Sequence, residues 1–390
     1  MEPSTSQEYK IHNGFHRYDL NYTTFDLRPW YAEPAYIGRG TFGNVCKARD
    51  TERELDVAIK KLSFPFRDGD TARKSFRELR LLQILEHENI IELHDLYTPD
   101  AQPSILQDIY IVTVHAGWDL KKVLGEAQLT DRHERFIIYQ LLRGLKYLHC
   151  AGIVHRDLKP GNLCLNADTD LTIVDLGLAR AVSKELMTEY IVTRHYRAPE
   201  ILCWTAPYHP ISDMWSVGCI LAELFRKGQP LFRGDSGHHQ FKLITEICGS
   251  PHQEFLEKVE RRASKDTRAF LEQNLTFYQR KNMAEVFPDA SPDGVDFIDK
   301  ILVLDPDYRM GVDEALKHAY LAEFHDAEDE QFDVQPIFLE DQEPSTEDIP
   351  AWRRKIWAEI VGYQSQEKLA SLAIRDESRE KSSSANDSVD

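Results

Sequence analysis

No stretch of this 390-residue chain approaches 18 consecutive apolar residues, and Met1 to Phe15 contains no apolar run of the kind a secretory leader needs. The expectation is a chain that neither spans a membrane nor is secreted. Cysteine is scarce. The six residues Cys46, Cys150, Cys164, Cys203, Cys219 and Cys248 form no C-x-x-C pair. That spacing argues against a disulfide framework or a zinc site and for reduced thiols in the cytoplasm and nucleus. Basic charge is also short, with 47 Lys and Arg against 65 Asp and Glu, a formal net charge of −18. The basic footprint needed for nucleic acid or an anionic membrane surface is missing. No internal repeat is visible.

The acid is concentrated. Residues 321–350 hold eleven Asp or Glu and no Lys or Arg, residues 351–390 sum to zero, and the first 320 residues carry only −7. Such a run reads first as a solvated segment. Hydrophobic residues at 42% supply enough apolar surface for a folded core.

Residues 1–30 are polar, lack a clear period and read as an N-terminal extension. Ala35–Lys47, Asp56–Leu62, Ile90–Tyr97 and Ile109–Val114 read as strands, and Thr71–Leu85 as a helix. From Leu120 helices dominate. Thr130 suits an N-cap ahead of Ile137, Leu141, Leu145 and Leu148, which recur at helical spacing. A strand-rich first part and a helical remainder predict an α+β fold of two lobes with a cleft between them. The Ser, Asp and Glu-rich stretch from Asp376 onward reads as disordered.

Gly38-Arg39-Gly40-Thr41-Phe42-Gly43-Asn44-Val45 is a G-x-G-x-x-G-x-V loop, in which backbone amides approach phosphate oxygens closely. A second strand follows it rather than a helix, which favours a phosphate-binding hairpin over a dinucleotide fold. On that strand, alternation puts Ala58 and Lys60 on one face and Lys61 on the other. Glu78, in the following helix, is the natural ion-pair partner for Lys60. His155-Arg156-Asp157-Leu-Lys159-Pro-Gly-Asn162 supplies a carboxylate, a cation two residues on and an amide five residues on. Asp157 can accept a hydroxyl proton, Lys159 can balance phosphate charge, and Asn162 can hold a metal. Asp175-Leu176-Gly177 adds a second metal-binding carboxylate, and Ala198-Pro-Glu200 follows.

In this order the motifs resemble the eukaryotic protein kinase family over residues 31–321. The resemblance implies a bilobal fold, with a small β-rich N-lobe over about 31–114 and a larger helical C-lobe over about 118–321. It implies ATP as donor, Mg²⁺ at Asn162 and Asp175, and transfer to a protein hydroxyl. Catalysis would fall to Asp157, Lys60, Lys159 and Glu78. Ile37, the Gly loop from Gly38 to Val45, Ala58, Lys60, Thr113 and Asp119 would hold the nucleotide, with Val114–Gly117 as hinge. Asp213 would anchor the catalytic loop, and Arg309 would pair with Glu200. Leu176 stands where most members have Phe.

Thr188-Glu189-Tyr190, placed ahead of the Ala198-Pro-Glu200 motif, resembles the mitogen-activated protein kinases. The stretches Lys60–Phe66, Tyr110–Thr113, Arg143–His149 and Leu302–Asp305 resemble its stress-activated p38 branch, although Glu189 replaces the Gly usual there. The family implies dual phosphorylation of Thr188 and Tyr190, read by Lys74, Arg77, Arg156, Arg194 and Arg197, and transfer to Ser-Pro or Thr-Pro sites. Asp326, Glu328, Asp329 and Glu330 resemble the docking segment that binds basic peptides of upstream dual-specificity kinases, substrates and phosphatases. Residues 322–360 are accordingly read as an acidic, lobe-wrapping extension and 361–390 as a disordered tail. The rival reading, a pseudokinase scaffold, is opposed by the presence of Lys60, Glu78, Asp157, Asn162 and Asp175 together.

Overall fold

The computed structural model describes residues 9–40, 43–181, 194–203, 208–262, 277–339 and 343–366. Thr41, Phe42, Thr188, Glu189, Tyr190 and the stretch from Asp376 onward lie outside the described residues. The chain divides into two compact units. One comprises residues 1–85, 92–115 and 342–390; the other comprises 86–91 and 116–341.

The first unit is built on a five-stranded antiparallel sheet in the order β4-β5-β6-β8-β7, with β4 Tyr31–Gly40, β5 Gly43–Asp50, β6 Leu55–Leu62, β7 Leu93–Tyr97 and β8 Tyr110–Val114. The stretch read as one strand over 35–47 is thus two strands joined at the Gly loop. Strand alternation decides what each face does. Val57 and Ile59 point into a core with Phe25, Tyr97 and Tyr110, and Ala58 and Lys60 point the other way.

That core corrects the reading of the N-terminus. Lys10–His12 (β1), Phe15–Leu20 (β2) and Thr23–Leu27 (β3) form a three-stranded antiparallel sheet whose Tyr18, Leu20, Phe25 and Leu27 are buried. The signal was local. Asn13-Gly14 and Asn21-Tyr22 both have positive φ, the conformation of two-residue hairpin turns.

The helix Gly69–Ile84 is capped by Asp68, whose carboxylate accepts from Thr71 N. Gly69 is required there, because a Cβ would lie 1.7 Å from the carbonyl oxygen of Thr346. Residues 349–366 form a helix in the same unit, so 361–366, read as the start of a disordered tail, are helical. Its Trp352 is fully buried against Phe76.

The second unit is mainly helical. In Asp131–Cys150 the predicted cap is present: Thr130 Oγ1 accepts from His133 N, and the His133 ring accepts from Thr130 N. Ile137, Leu141, Leu145 and Leu148 are completely buried. The helix Pro210–Phe225 runs through the centre of this core with Trp215, Val217, Ile220 and Leu221. Among the described residues no helix is long and apolar enough to cross a membrane.

Candidate active site

In the first unit, strand register assembles the nucleotide candidates on one face. Lys60 pairs with Val45 on one side, and Ala58 pairs with Thr113 on the other. Directly paired residues share a face, so all four side chains stand together. The Gly loop closes through the pairs Gly38–Val45, Arg39–Asn44 and Gly40–Gly43. A Cβ on Gly43 would lie 2.3 Å from Lys61 O, so close backbone approach requires glycine there. Ile37, next to the loop, is exposed.

Lys60 Nζ donates to Glu78 Oε1 at 2.6 Å, with the Glu78 carboxylate buried. On the opposite face of the strand, Lys61 is taken up by Thr24 O and Asp108. Two lysines adjacent in sequence therefore have different fates.

Arg77 requires a correction. Sequence assigned it to a phosphate, but its guanidinium is buried against Glu343, with Nη2–Oε2 at 2.9 Å and Nε in a second contact to Oε1. A planar fork matches one carboxylate with two parallel bonds, and residues 343–366 supply that carboxylate. Arg80 pairs with Glu359 of the same segment. Lys74 lies half-buried one turn before Glu78.

In the second unit, the catalytic loop is held by buried polar bonds. Asp157 accepts from Lys159 Nζ at 2.6 Å and from Asn162 Nδ2 at 3.0 Å. Burial pushes the Asp157 carboxyl up, against the pull of Lys159. Asp213 accepts from the backbone amides of His155 and Arg156 and from the His149 ring. Burial opposes ionising Asp213, but the His149 hydrogen bond and charge and the backbone bond prevail and hold it below the usual carboxylate range. Arg156 itself has a left-handed φ of 72° and lies with its guanidinium over the ring of Tyr208 at 4.6 Å. Burial pushes the Tyr208 hydroxyl up to about 12, against the pull of Arg197 and then Arg156. Arg156, assigned to phosphate, thus stacks on a tyrosine that sequence reasoning passed over, and Arg197 acts electrostatically on the same hydroxyl.

Asp175 also adopts a left-handed φ, 63°, and accepts from Gly177 N. Asn162 Nδ2 donates to the backbone oxygen and to Oδ2 of Asp157, so its amide oxygen is the ligand end. An amide oxygen and one carboxylate suit Mg²⁺, a hard cation held by one or two protein oxygens together with substrate phosphates rather than by a protein cage. Among the described residues no cluster of three His, Cys, Asp or Glu side chains gathers. Asp119 caps the helix Leu120–Glu126 through Lys122 N. Gly117 (φ 90°) approaches Leu165 O so closely that a side chain is excluded.

Arg309 and Glu200 form a bidentate pair at 2.8 and 2.9 Å with almost no exposure, and Ser212 adds a bond to the same carboxylate. Leu176 is buried.

The acidic segment needs a second correction. Asp326, Glu328 and Asp329 are exposed, but Glu330 is only 2% exposed. It accepts from Asp326 N and sits 2.8 Å from the His325 ring. A carboxylate turned inward to those two donors cannot meet a docking peptide. Asp329 Oδ2 is 2.7 Å from Arg143, which also pairs with Glu88.

Comparison with known proteins agrees with this geometry. The protein kinase domain family matches residues 31–321. Mitogen-activated protein kinase pmk-3 of Caenorhabditis elegans is 45% identical over 87% of this chain and 73% of its own length. Mitogen-activated protein kinase 14 of Xenopus laevis is 42% identical over 92% and 96%. Mitogen-activated protein kinase p38b of Drosophila melanogaster is 38% identical over 93% and 98%. With a β-sheet unit carrying a paired lysine and a helical unit carrying a buried, lysine-bound aspartate, the chain belongs to the protein kinase family, among the p38-type mitogen-activated serine/threonine kinases.

Proposed function

We propose that this kinase transfers the ATP γ-phosphate to Ser-Pro and Thr-Pro sites in a stress-signalling cascade and is activated by phosphorylation of Thr188 and Tyr190. A protein kinase domain implies ATP and a divalent metal. Mitogen-activated relatives imply an upstream kinase and protein substrates. The observation that carries the reading is the Asp157 network. A buried carboxylate beside an ammonium, on a backbone fixed by Asp213, is pre-organised to orient a hydroxyl and accept its proton. Lys159, on the same carboxylate, offers positive charge where the transferring phosphoryl group is most negative. Lys60, kept in place by Glu78, holds phosphate oxygens. The metal would be Mg²⁺, held by Asn162 and Asp175, and when bound it neutralises charge on the phosphate oxygens.

Arg156, over the ring of Tyr208, and Arg197, which acts electrostatically on the same hydroxyl, are the phosphate readers in this reading. Asp326, Glu328 and Asp329 are the docking carboxylates for basic peptides of upstream dual-specificity kinases, substrates and phosphatases. Six free thiols support residence in the cytoplasm and nucleus. The test is a positional peptide library assayed with enzyme activated in vitro by a dual-specificity kinase. Proline immediately after the acceptor is expected to dominate, and Thr188→Ala with Tyr190→Phe to remain inactive. Proline indifference, or full activity of that double variant, overturns the reading.

A further inference from the structure

Lys61 stands beside the phosphate lysine in sequence, but its surroundings are not those of a solvated surface charge. Its side chain is only 16% exposed. Nζ donates to Thr24 O at 2.9 Å and to Asp108 Oδ2 at 2.8 Å, and lies 5.5 Å from the centre of the Tyr110 ring. The two acceptors come from far apart in the chain, 37 residues before Lys61 and 47 after it. The Thr24 end is held firmly. Two residues further along β3, the Asp26 amide donates to Tyr110 OH at 2.8 Å, and Tyr97 OH donates to Asp26 O at 3.2 Å. The Asp26 carboxylate, 1% exposed, accepts from Arg17 Nε and Nη2 at 2.7 and 2.8 Å. Lys61 therefore bonds the five-stranded sheet to an N-terminal sheet that is itself fixed in place.

The backbone of Lys61 faces the other way in its consequences. Along β6 it pairs with Asn44 of the Gly loop on one side and with Tyr110 on the other. Its carbonyl oxygen is the group that keeps a side chain off Gly43, 2.3 Å from where a Cβ would stand. The residue before it is Lys60, whose Nζ reaches Glu78. Adjacent strand residues send their side chains to opposite faces of one extended backbone. Anchoring the Lys61 side chain behind the sheet thus fixes the peptide that carries Lys60 in front of it. The same anchor sets the carbonyl against which Gly43 rests.

We propose that Lys61 is a positioning residue for the nucleotide phosphates: tied to Thr24 and Asp108, it holds Lys60 and the Gly43 end of the Gly loop in the register that phosphate binding needs. This rests on the nucleotide reading of Lys60 and the Gly loop, and it adds the N-terminal sheet to what supports them. Lys61 acts only through its neighbours, so adenosine, which has no phosphate, should not sense it.

The test is binding, not turnover. Calorimetric titration of the full chain compares a non-hydrolysable ATP analogue, with Mg²⁺, against adenosine, and the ratio of the two affinities is read within each preparation. Lys61→Met keeps the stem and removes the ammonium. Its ratio should fall about fivefold, with adenosine affinity unchanged. Lys61→Arg keeps donors for both acceptors and should retain the wild-type ratio. Asp108→Asn leaves Thr24 as an acceptor and should give a smaller loss in the same direction. Without nucleotide, hydrogen exchange in Lys61→Met should rise at Gly43–Val45 and stay unchanged in the helix Gly69–Ile84. Equal losses for the analogue and adenosine, or exchange raised over the whole unit, would reduce Lys61 to a structural residue and overturn the proposal. So would a wild-type ratio in Lys61→Met. Lys60→Met keeps the two readings apart. If it collapses the ratio while Lys61→Met does not, the positioning role alone falls. If Lys60→Met retains the wild-type ratio, the phosphate reading of Lys60 falls and the positioning role with it.

Discussion

Glu78 and Asp157 are both buried carboxylates lying 2.6 Å from a lysine, yet they are positioned by different means. Three groups that fix Asp157, on His155, Lys159 and Asn162, lie within five residues of it, and Asp213 anchors the backbone from the central helix. Glu78 is placed by its helix, and that helix is clamped by partners 266 and 279 residues away, Glu343 on Arg77 and Glu359 on Arg80, with Trp352 against Phe76. One carboxylate is held by its own loop, whereas the other depends on a distant segment folding back. Rigid local anchorage suits a group that must meet a reacting hydroxyl, and remote anchorage leaves the Glu78 helix open to control through residues 343–366.

The largest effect expected is on transfer itself. Lys60→Met and Asp157→Asn should each lower kcat by about 10³-fold or more, and substantial residual turnover in either would remove that residue from the catalytic set. Their stabilities should part. Lys60→Met leaves Glu78 buried without its ammonium and should be destabilised by about 3 kcal/mol. Asp157 behaves oppositely, because its folded pKa is raised. Such a group stabilises the fold only when protonated, and that contribution is lost as pH rises through the raised pKa. At neutral pH, Asn should therefore unfold no earlier than wild type. Equal thermal shifts in the two variants would erase the contrast.

Next in size is the remote clamp. Glu343→Gln leaves the buried Arg77 guanidinium without its carboxylate, a loss of about 3 kcal/mol for a pair this secluded. Hydrogen exchange should rise across residues 69–84 and stay unchanged across 153–165. The apparent ATP KM should rise, because Lys60 relies on Glu78. A uniform increase in exchange over both units would show that the clamp supports global stability and not the helix in particular.

A pH measurement examines the local anchor. Asp157 must be ionised to accept a proton, so kcat/KM falls as pH drops through its raised pKa. Lys159 opposes the rise. In Lys159→Ala the acid limb should move to higher pH, whereas in Glu343→Gln it should stay in place. A fixed limb in Lys159→Ala would mean that the 2.6 Å contact does not govern Asp157.

The same contrast explains what the sequence made legible. The Asp157 loop, the Gly loop and the Lys60 strand were readable because residue type and spacing carry their geometry: a hairpin needs glycine, and strand alternation alone separates Lys60 from Lys61. The Glu200–Arg309 pair was reached through family resemblance. Glu343 was not readable, since one carboxylate among eleven in an acidic run has no local mark that it will meet Arg77. Tyr208 and the inward turn of Glu330 escaped for the same reason. The N-terminal sheet is different. Its Asn13-Gly14 turn and buried alternation were present in the sequence, but the strands are three to six residues long, too short for a period to stand out against polar neighbours.

The smallest effects belong to the acidic segment, where local and interior carboxylates again part. Asp326 and Glu328 are exposed, and contacts between exposed charges contribute at most about 1 kcal/mol each. Their combined reversal, Asp326→Lys with Glu328→Lys, should weaken binding of a basic docking peptide by about tenfold, and the stability lost is that of the exposed turn bonds that Asp326 Oδ1 accepts from Glu328 N and Asp329 N, about 1 kcal/mol. Glu330→Gln should differ in its effect on the peptide. It removes the ionised partner of His325 and weakens the bond from Asp326 N, so the segment loses stability by about 1 kcal/mol or more. Direct affinity for the peptide should then change only as far as the 325–330 turn loosens. Fluorescence titration of a labelled basic peptide, paired with thermal unfolding of each variant, separates the two behaviours. If Glu330→Gln weakened the peptide as strongly as the double reversal while leaving the melting temperature unchanged, Glu330 would have to turn outward in the complex, and its inward pose would describe only the free protein.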